Sequence, residues 1–187
     1  SWRRAIIELE LTGKNVLITG GSKGIGLAVA KGFAAEGCNL HLTSRTAEDL
    51  QAAKGIIEQA HDVKVQIHPM DLAQPGAAEN LRQAAGEVDI LINNAGAIPG
   101  GIVDQDINLT RLYLDAMTTR GDGIIINVTG TAGENPDPNY VAGSAGNASL
   151  MAFTRAIGST SIDSGVRVLA VNPGPVETDR ITALLKT

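Results

Sequence analysis

Asn15-Val16-Leu17-Ile18-Thr19-Gly20-Gly21-Ser22-Lys23-Gly24-Ile25-Gly26 is the stretch that decides the fold. A short apolar run, Val16-Leu17-Ile18, enters a glycine-rich turn, and a segment of helical composition, Ile25 to Ala35, follows at once. Strand, glycine turn and helix together bring backbone N–H groups and the positive end of a helix dipole to one point, which suits a phosphate. Gly20 permits the sharp exit from the strand, and Gly24 lets a pyrophosphate approach the backbone. Gly26 allows the helix to pack closely on the strand. A glycine-rich loop alone is weak evidence; its place between a buried strand and a helix gives it weight.

Outward from this stretch the alternation repeats. Apolar runs recur at Leu40 to Thr43, Val63 to Ile67, Ile90 to Ile92, Ile124 to Ile126 and Val166 to Val171. Helical composition fills Ala47–Ala60, Ala77–Ala85 and Ala145–Ile157. Short, continuous apolar runs read as strands buried on both faces, as in a parallel sheet. Strand then helix, repeated, predicts right-handed crossovers and an α/β, doubly wound parallel sheet. With 187 residues and no linker, repeat or low-complexity tract, the chain predicts one domain, residues 1–10 being an extension before the first strand.

Composition narrows the function classes. Hydrophobic residues at 43% and charged residues at 19% suit a soluble globular protein. A net charge of -5 offers no broad basic surface and argues against a nucleic-acid partner. Cys38 is the only cysteine, so no internal disulfide is possible, and its neighbours predict a small buried residue at a strand entrance. No apolar run approaches the roughly 18 residues of a membrane span. The opening Ser1-Trp2-Arg3-Arg4 lacks a secretory core, so the expected location is the cytoplasm. No metal is expected.

The glycine spacing, three residues between the first and second of the set, matches the pattern TGxxxGxG of the short-chain dehydrogenase/reductase family. Asp71-Leu72 follows the third strand, where that family places an Asp near the adenine. Asn93-Asn94-Ala95-Gly96 follows the fourth and resembles its NNAG motif. Pro173-Gly174-Pro175-Val176-Glu177-Thr178 follows the sixth and resembles the loop that holds the nicotinamide carboxamide. All four elements end strands at the carboxyl edge of the sheet, where open α/β sheets bind ligands. The resemblance spans Leu11 to Arg180 and implies a Rossmann fold with a nicotinamide dinucleotide. It places cofactor contacts at Gly20, Ser22, Lys23, Gly24, Ile25, Gly26, Arg45, Asp71, Leu72, Asn94, Ala95, Gly96, Pro173, Gly174 and Thr178.

The second strand ends Leu42-Thr43-Ser44-Arg45, without the carboxylate that would bind an adenosine ribose and repel a 2′-phosphate. Arg45 offers a planar fork of donors, and Lys23 adds a charge from the glycine loop. Together, in the family's register, they favour NADP(H) over NAD(H).

The family also uses a Tyr as general acid/base, a Lys four residues later, and a Ser upstream. A free phenol has a pKa of about 10, and a nearby cation brings it toward the working range. Here the helix Leu150 to Ala156 puts Asn147 at the Lys position and Gly143 at the Tyr position. The strand end Ile126 to Gly133 puts Gly130 at the Ser position, and counting forward from it lands again on Gly143. Tyr140 lies three residues early, with Ser144 and no cation four residues after it. No Lys occurs between Lys64 and Lys186. Thr129, Thr131, Tyr140, Ser144 and Asn147 are the remaining polar candidates, with Tyr140 and Asn147 foremost. Tyr140 is expected to pack or hydrogen-bond where the loop meets the helix. His41, His61 and His68 read as core or surface residues.

Asn108 resembles the family's relay Asn but stands too close to the following strand to carry that role. The stretch from Gly96 to Asn108 is short, and the family's substrate-covering segment and final strand would follow Thr187. Residues missing near Gln105 and after Thr187 are therefore expected. Two readings stay open: an NADP(H)-dependent oxidoreductase with a non-standard site, acting on a small carbonyl or alcohol, or a catalytically inactive NADP(H)-binding sensor, scaffold or partner subunit. The resemblance implies a homodimer or homotetramer packed through helices around Leu109–Met117 and Ala145–Ile157.

Overall fold

The computed structural model describes residues 8–94, 102–174, 176 and 178. Six parallel strands, β1 (Asn15–Thr19), β2 (Asn39–Ser44), β3 (Val65–Pro69), β4 (Ile90–Asn93), β5 (Gly123–Val128) and β6 (Val166–Val171), stand in the order β3-β2-β1-β4-β5-β6. The chain starts at the centre, winds out to one edge, returns beside β1 and winds out to the other. The order reverses between β1 and β4, which opens a crevice at their carboxyl ends.

Alternate side chains of each strand feed two cores. Val16 and Ile18 of β1, with Leu40, Leu42, Ile90 and Ile92, pack under α1 (Gly24–Ala35) and α2 (Ala47–Ala60). Leu17, Leu91 and Ile125 face the other layer, under α3 (Ala77–Ala85) and α4 (Ile102–Arg120), the latter through Leu109, Tyr113 and Met117. Each such side chain, fully removed from water, stabilises by about 1.5–3 kcal/mol. Cys38 belongs to the first core: it is fully buried, its thiol donates to the Leu11 carbonyl at 3.3 Å, and burial pushes its pKa up to about 11.

Most elements lie within two residues of the sequence expectation, and three depart in ways that bear on the site. The third strand is Val65–Pro69 and not Val63 to Ile67, because Val63 N–H is spent on a local turn with the His61 carbonyl. The helix expected around Leu109–Met117 is the centre of α4, which runs from Ile102 to Arg120. The last helix, α5, spans Val141–Ser161, not Ala145–Ile157. Its glycine-rich start is held by the turn before it: Asp137 N–H donates to Ser144 Oγ at 3.0 Å, and the Asp137 carboxylate accepts Asn139 N–H at 2.8 Å. Among the described residues, no helix is long and apolar enough to cross a membrane.

Candidate functional site

The crevice between β1 and β4 is built from their loops. Gly20 and Gly24 adopt positive φ of 63° and 53°, which turn the chain from β1 into α1. Gly26 lies in the first turn of α1, seated on the Gly20 carbonyl. A Cβ there would collide with that oxygen and stand 2.6 Å from Asn94 Nδ2. Asn94 ties the two strand ends together: its N–H donates to Thr19 Oγ1 at 2.8 Å, and its side-chain amide donates to the Thr19 carbonyl at 3.1 Å. Ser22 and Ile25 are half-buried along the same turn. Thr178 reaches this loop, its Cγ2 standing 3.5 Å from where a Cβ on Gly24 would be. The resemblance placed both at the cofactor, and they are neighbours. Pro173 and Gly174 follow the end of β6. Ala95, Gly96, Pro175 and Glu177 lie outside the described residues.

This cradle fits a pyrophosphate: it has bare glycine backbone at the N-terminus of a helix. Arg45 is exposed just beyond β2. Lys23 Nζ pairs with Asp49 Oδ2 at 2.8 Å, a carboxylate from the first turn of α2 that sequence reading missed. Asp71 turns its carboxylate onto its own loop, accepting Ala73 N–H at 3.1 Å, and Leu72 is buried beside it.

Past β5, the positions singled out for proton chemistry converge. Asn147 Oδ1 accepts Gly130 N–H at 2.6 Å, and its Nδ2 donates to the Gly143 carbonyl at 2.8 Å. The amide therefore bridges the other two positions. Gly133 lets the turn after β5 lie against α5, since a Cβ there would meet Ala148 N at 2.8 Å. Tyr140 caps α5, and its ring lies over Gly143, where an added Cβ would fall on ring atoms Cε1 and Cζ. Ser144 is buried and holds the preceding turn, while Thr129 Oγ1 donates to the Val171 carbonyl at 3.4 Å. Thr131 opens a short 3-10 turn. A cleft of about 420 Å³ opens between α5 and β6; Thr129 lines it, and Tyr140 and Asn147 do not.

Beneath the site runs a chain of buried amides and hydroxyls. Asn93 donates to Thr110 Oγ1 and Asn127 Oδ1 at 3.0 and 2.8 Å, and Asn127 donates to Thr154 Oγ1 at 2.8 Å. Asp106, one helical turn before Thr110, is buried with Oδ1 unpartnered, and desolvation pushes its pKa up to about 8. Asn108 is half-buried on the same helix. His41 and His68 stack at 5.3 Å on neighbouring strands with Nδ1 and Nε2 3.1 Å apart, and His61 ends α2.

A parallel sheet in this order, with a glycine loop at the reversal, defines a doubly wound Rossmann-type α/β protein. The model of the short chain dehydrogenase family matches residues 14–107 and 103–187, and the chain belongs to that family, an oxidoreductase family. It is 31% identical over 196 residues to the 3-oxoacyl-[acyl-carrier-protein] reductase FabG of Escherichia coli, covering 94% of this chain and 79% of that one. It is 32% identical over 188 residues to the oxidoreductase UcpA of the same organism, covering 90% and 72%. The crystal structure of L-sorbose reductase from Gluconobacter frateurii, complexed with NADPH and L-sorbose, superposes with a TM-score of 0.84 at 29% identity. That match covers 96% of this chain and 76% of the other.

Proposed function

We propose that the protein is an NADP(H)-dependent oxidoreductase acting on a small carbonyl or alcohol, with Gly130, Gly143 and Asn147 where the family pattern has Ser, Tyr and Lys. The observation that supports this reading is the cradle at the ends of β1 and β4, where Gly26 sits on the Gly20 carbonyl with Thr178 beside Gly24. In this reading the loop Gly20–Gly26 holds the pyrophosphate, Lys23 and Arg45 face the 2′-phosphate, and Asp71 and Leu72 border the adenine. Asn94, Ala95 and Gly96 wall the nicotinamide side, with Pro173, Gly174 and Thr178 closing over it. Bound NADPH supplies a hydride, and positioning the carbonyl against it is most of what the protein must do. The NADPH in the sorbose reductase complex supports the choice of cofactor.

One observation favours the alternative of an inactive sensor, scaffold or partner subunit: Asn147 commits both polar atoms of its side chain to the backbone. Titration with NADPH and, separately, NADH, followed by NADPH oxidation against a panel of carbonyl compounds, separates the two. NADPH binding with oxidation is the expected result. Binding without turnover on any carbonyl would establish the alternative, and failure to bind either dinucleotide would remove both. We further propose a single NADP(H)-binding domain, placed in the cytoplasm and assembled as a homodimer or homotetramer through α4 and α5.

A further inference from the structure

β3 is an edge of the sheet and has only β2 beside it. Its side chains alternate: Val65 and Ile67 turn to the core under α1 and α2, and Gln66 and His68 to the opposite face. On that face His68 Nε2 stands 3.1 Å from Nδ1 of His41 on β2. The ring planes agree within 3°, and the centroids are 5.3 Å apart. That separation is nearly the nitrogen–nitrogen distance plus the two ring radii. The parallel rings are therefore displaced until they meet edge to edge, with the two nitrogens aimed at each other. Such a contact holds one proton, which one nitrogen donates and the other accepts. Lone pairs on a tetrahedral metal would instead converge on a third point, and among the described residues no third His, Cys, Asp or Glu joins the pair.

Among the described residues this is the one bond between side chains of β2 and β3. Thr43 Oγ1 donates to the His68 carbonyl at 2.7 Å, and Met70 N–H to the Ser44 carbonyl at 2.8 Å. Pro69, between them, has no N–H to give. Ring and backbone of His68 are thus both tied to β2 just before Asp71 and Leu72. A slip of β3 by one residue would carry His68 to the other face and leave His41, only 6% exposed, without its partner. Burial, then the charge of His68, lowers His41 to about 4, and burial lowers His68, so both rings are neutral at pH 7. Of the surrounding elements, β1 places Leu17 beside His41, and α3 buries Ala77, Ala78 and Leu81. Their charged neighbours are engaged elsewhere: Glu79 and Arg45 are exposed, Asp71 accepts Ala73 N–H, and Arg82 pairs with Glu87.

We propose that His41 and His68 are positioning residues for the adenosine end of the dinucleotide: their shared proton ties the end of β3 to β2 and so sets the Asp71-Leu72 loop against the adenine. This rests on the cofactor reading above. A tie made of a proton has an acid limit. The first proton taken up goes to the outer nitrogen of the more exposed His68 and leaves the bond in place. A second, on His41, sets N–H against N–H, and the tie is lost as pH falls through about 4.

NADP+ binding to the full chain and two variants tests this. His68→Leu removes the bond but keeps an apolar filler, and should weaken NADP+ about tenfold. His41→Asn combined with His68→Gln sets amide groups near the two facing nitrogens, and should restore affinity to within about threefold. Unchanged affinity in His68→Leu, or an amide pair as weak as His68→Leu, would overturn the proposal. On acidification the wild type should lose affinity relative to the amide pair, about twofold by pH 4. Titration of the cofactor's own phosphate is common to both chains, so parallel profiles would also overturn it. A wild-type chain that binds neither NADP+ nor NAD+ would sink the cofactor reading and the positioning role with it. The tie itself is read without ligand from backbone amide exchange at Asp71 and Leu72, expected about tenfold faster in His68→Leu and restored in the amide pair. Exchange unchanged by His68→Leu would show that the rings do not hold the loop.

Discussion

Lys23 and Asp49 meet at 2.8 Å between side chains that are 66% and 30% exposed, so their pair is worth about 0.2–1 kcal/mol. A dinucleotide 2′-phosphate beside Lys23 and Arg45 would bring its negative charge next to the same carboxylate. Asp49 would then compete for the ammonium and repel the ligand together. Asp49→Asn is therefore expected to tighten NADPH binding about two- to fivefold and to leave NADH unchanged. Parallel titrations with the two cofactors measure it, and equal effects on both would show that Asp49 does not act through the 2′-phosphate. The sequence made Lys23 and Arg45 visible because each stands at a loop position where the family resemblance expects a cofactor contact. Asp49 was hidden because its approach depends on how α2 leaves β2. The first-turn acids Glu48 and Asp49 were the available signal, since such residues cluster at a helix N-terminus.

At the scale of elements, α1 is seated on the ends of β1 and β4 through a single missing side chain. Gly26→Ala would push a methyl group into the Gly20 carbonyl and the Asn94 amide. The expected cost is about 1–3 kcal/mol, with Tm falling by several degrees and dinucleotide affinity falling with it. Thermal melts with and without NADPH read both effects, and an unchanged Tm would mean that α1 can lift without loss. Strand and helix existence was legible from apolar runs and their spacing, because burial on both faces leaves a continuous signature. Boundaries were less legible where loop hydrogen bonds decide them. The start of α5 at Val141 depends on Asp137 and Ser144 meeting across a turn, and no local propensity favours a helix beginning with Gly143 and Gly146.

For the whole molecule, three described groups have shifts that act between pH 4 and 8. Burial, then its neighbour His68, lowers His41 to about 4, and burial lowers His68. The unfolded chain binds their protons more readily, so their effect is stability that grows as pH rises toward 6.5. Asp106 has the opposite sign: the native state keeps a proton that the unfolded chain gives up above pH 4. Stability is therefore lost as pH rises from about 4 toward 8. The two effects oppose each other up to pH 6.5, and above it only the Asp106 loss continues. Asp106→Asn should raise Tm more at pH 8 than at pH 5, with a gain on the order of 2–4 kcal/mol at neutral pH. Melts across pH 4–8 check this, and an equal gain at both ends would show that the buried acid does not ionise on unfolding. Asp106 escaped sequence reading although it shares the helical spacing of Leu109, Tyr113 and Met117, the periodicity that puts it on the buried face.

The overlap between Tyr140 and a Cβ at position 143 makes the two positions answer to each other. A side chain at 143 and the ring in its present seat cannot coexist, so any residue larger than glycine there would turn the ring outward, the far end of an exposed side chain yielding before the backbone does. Substitutions at 140 and 143 are therefore coupled, and their effects should not add.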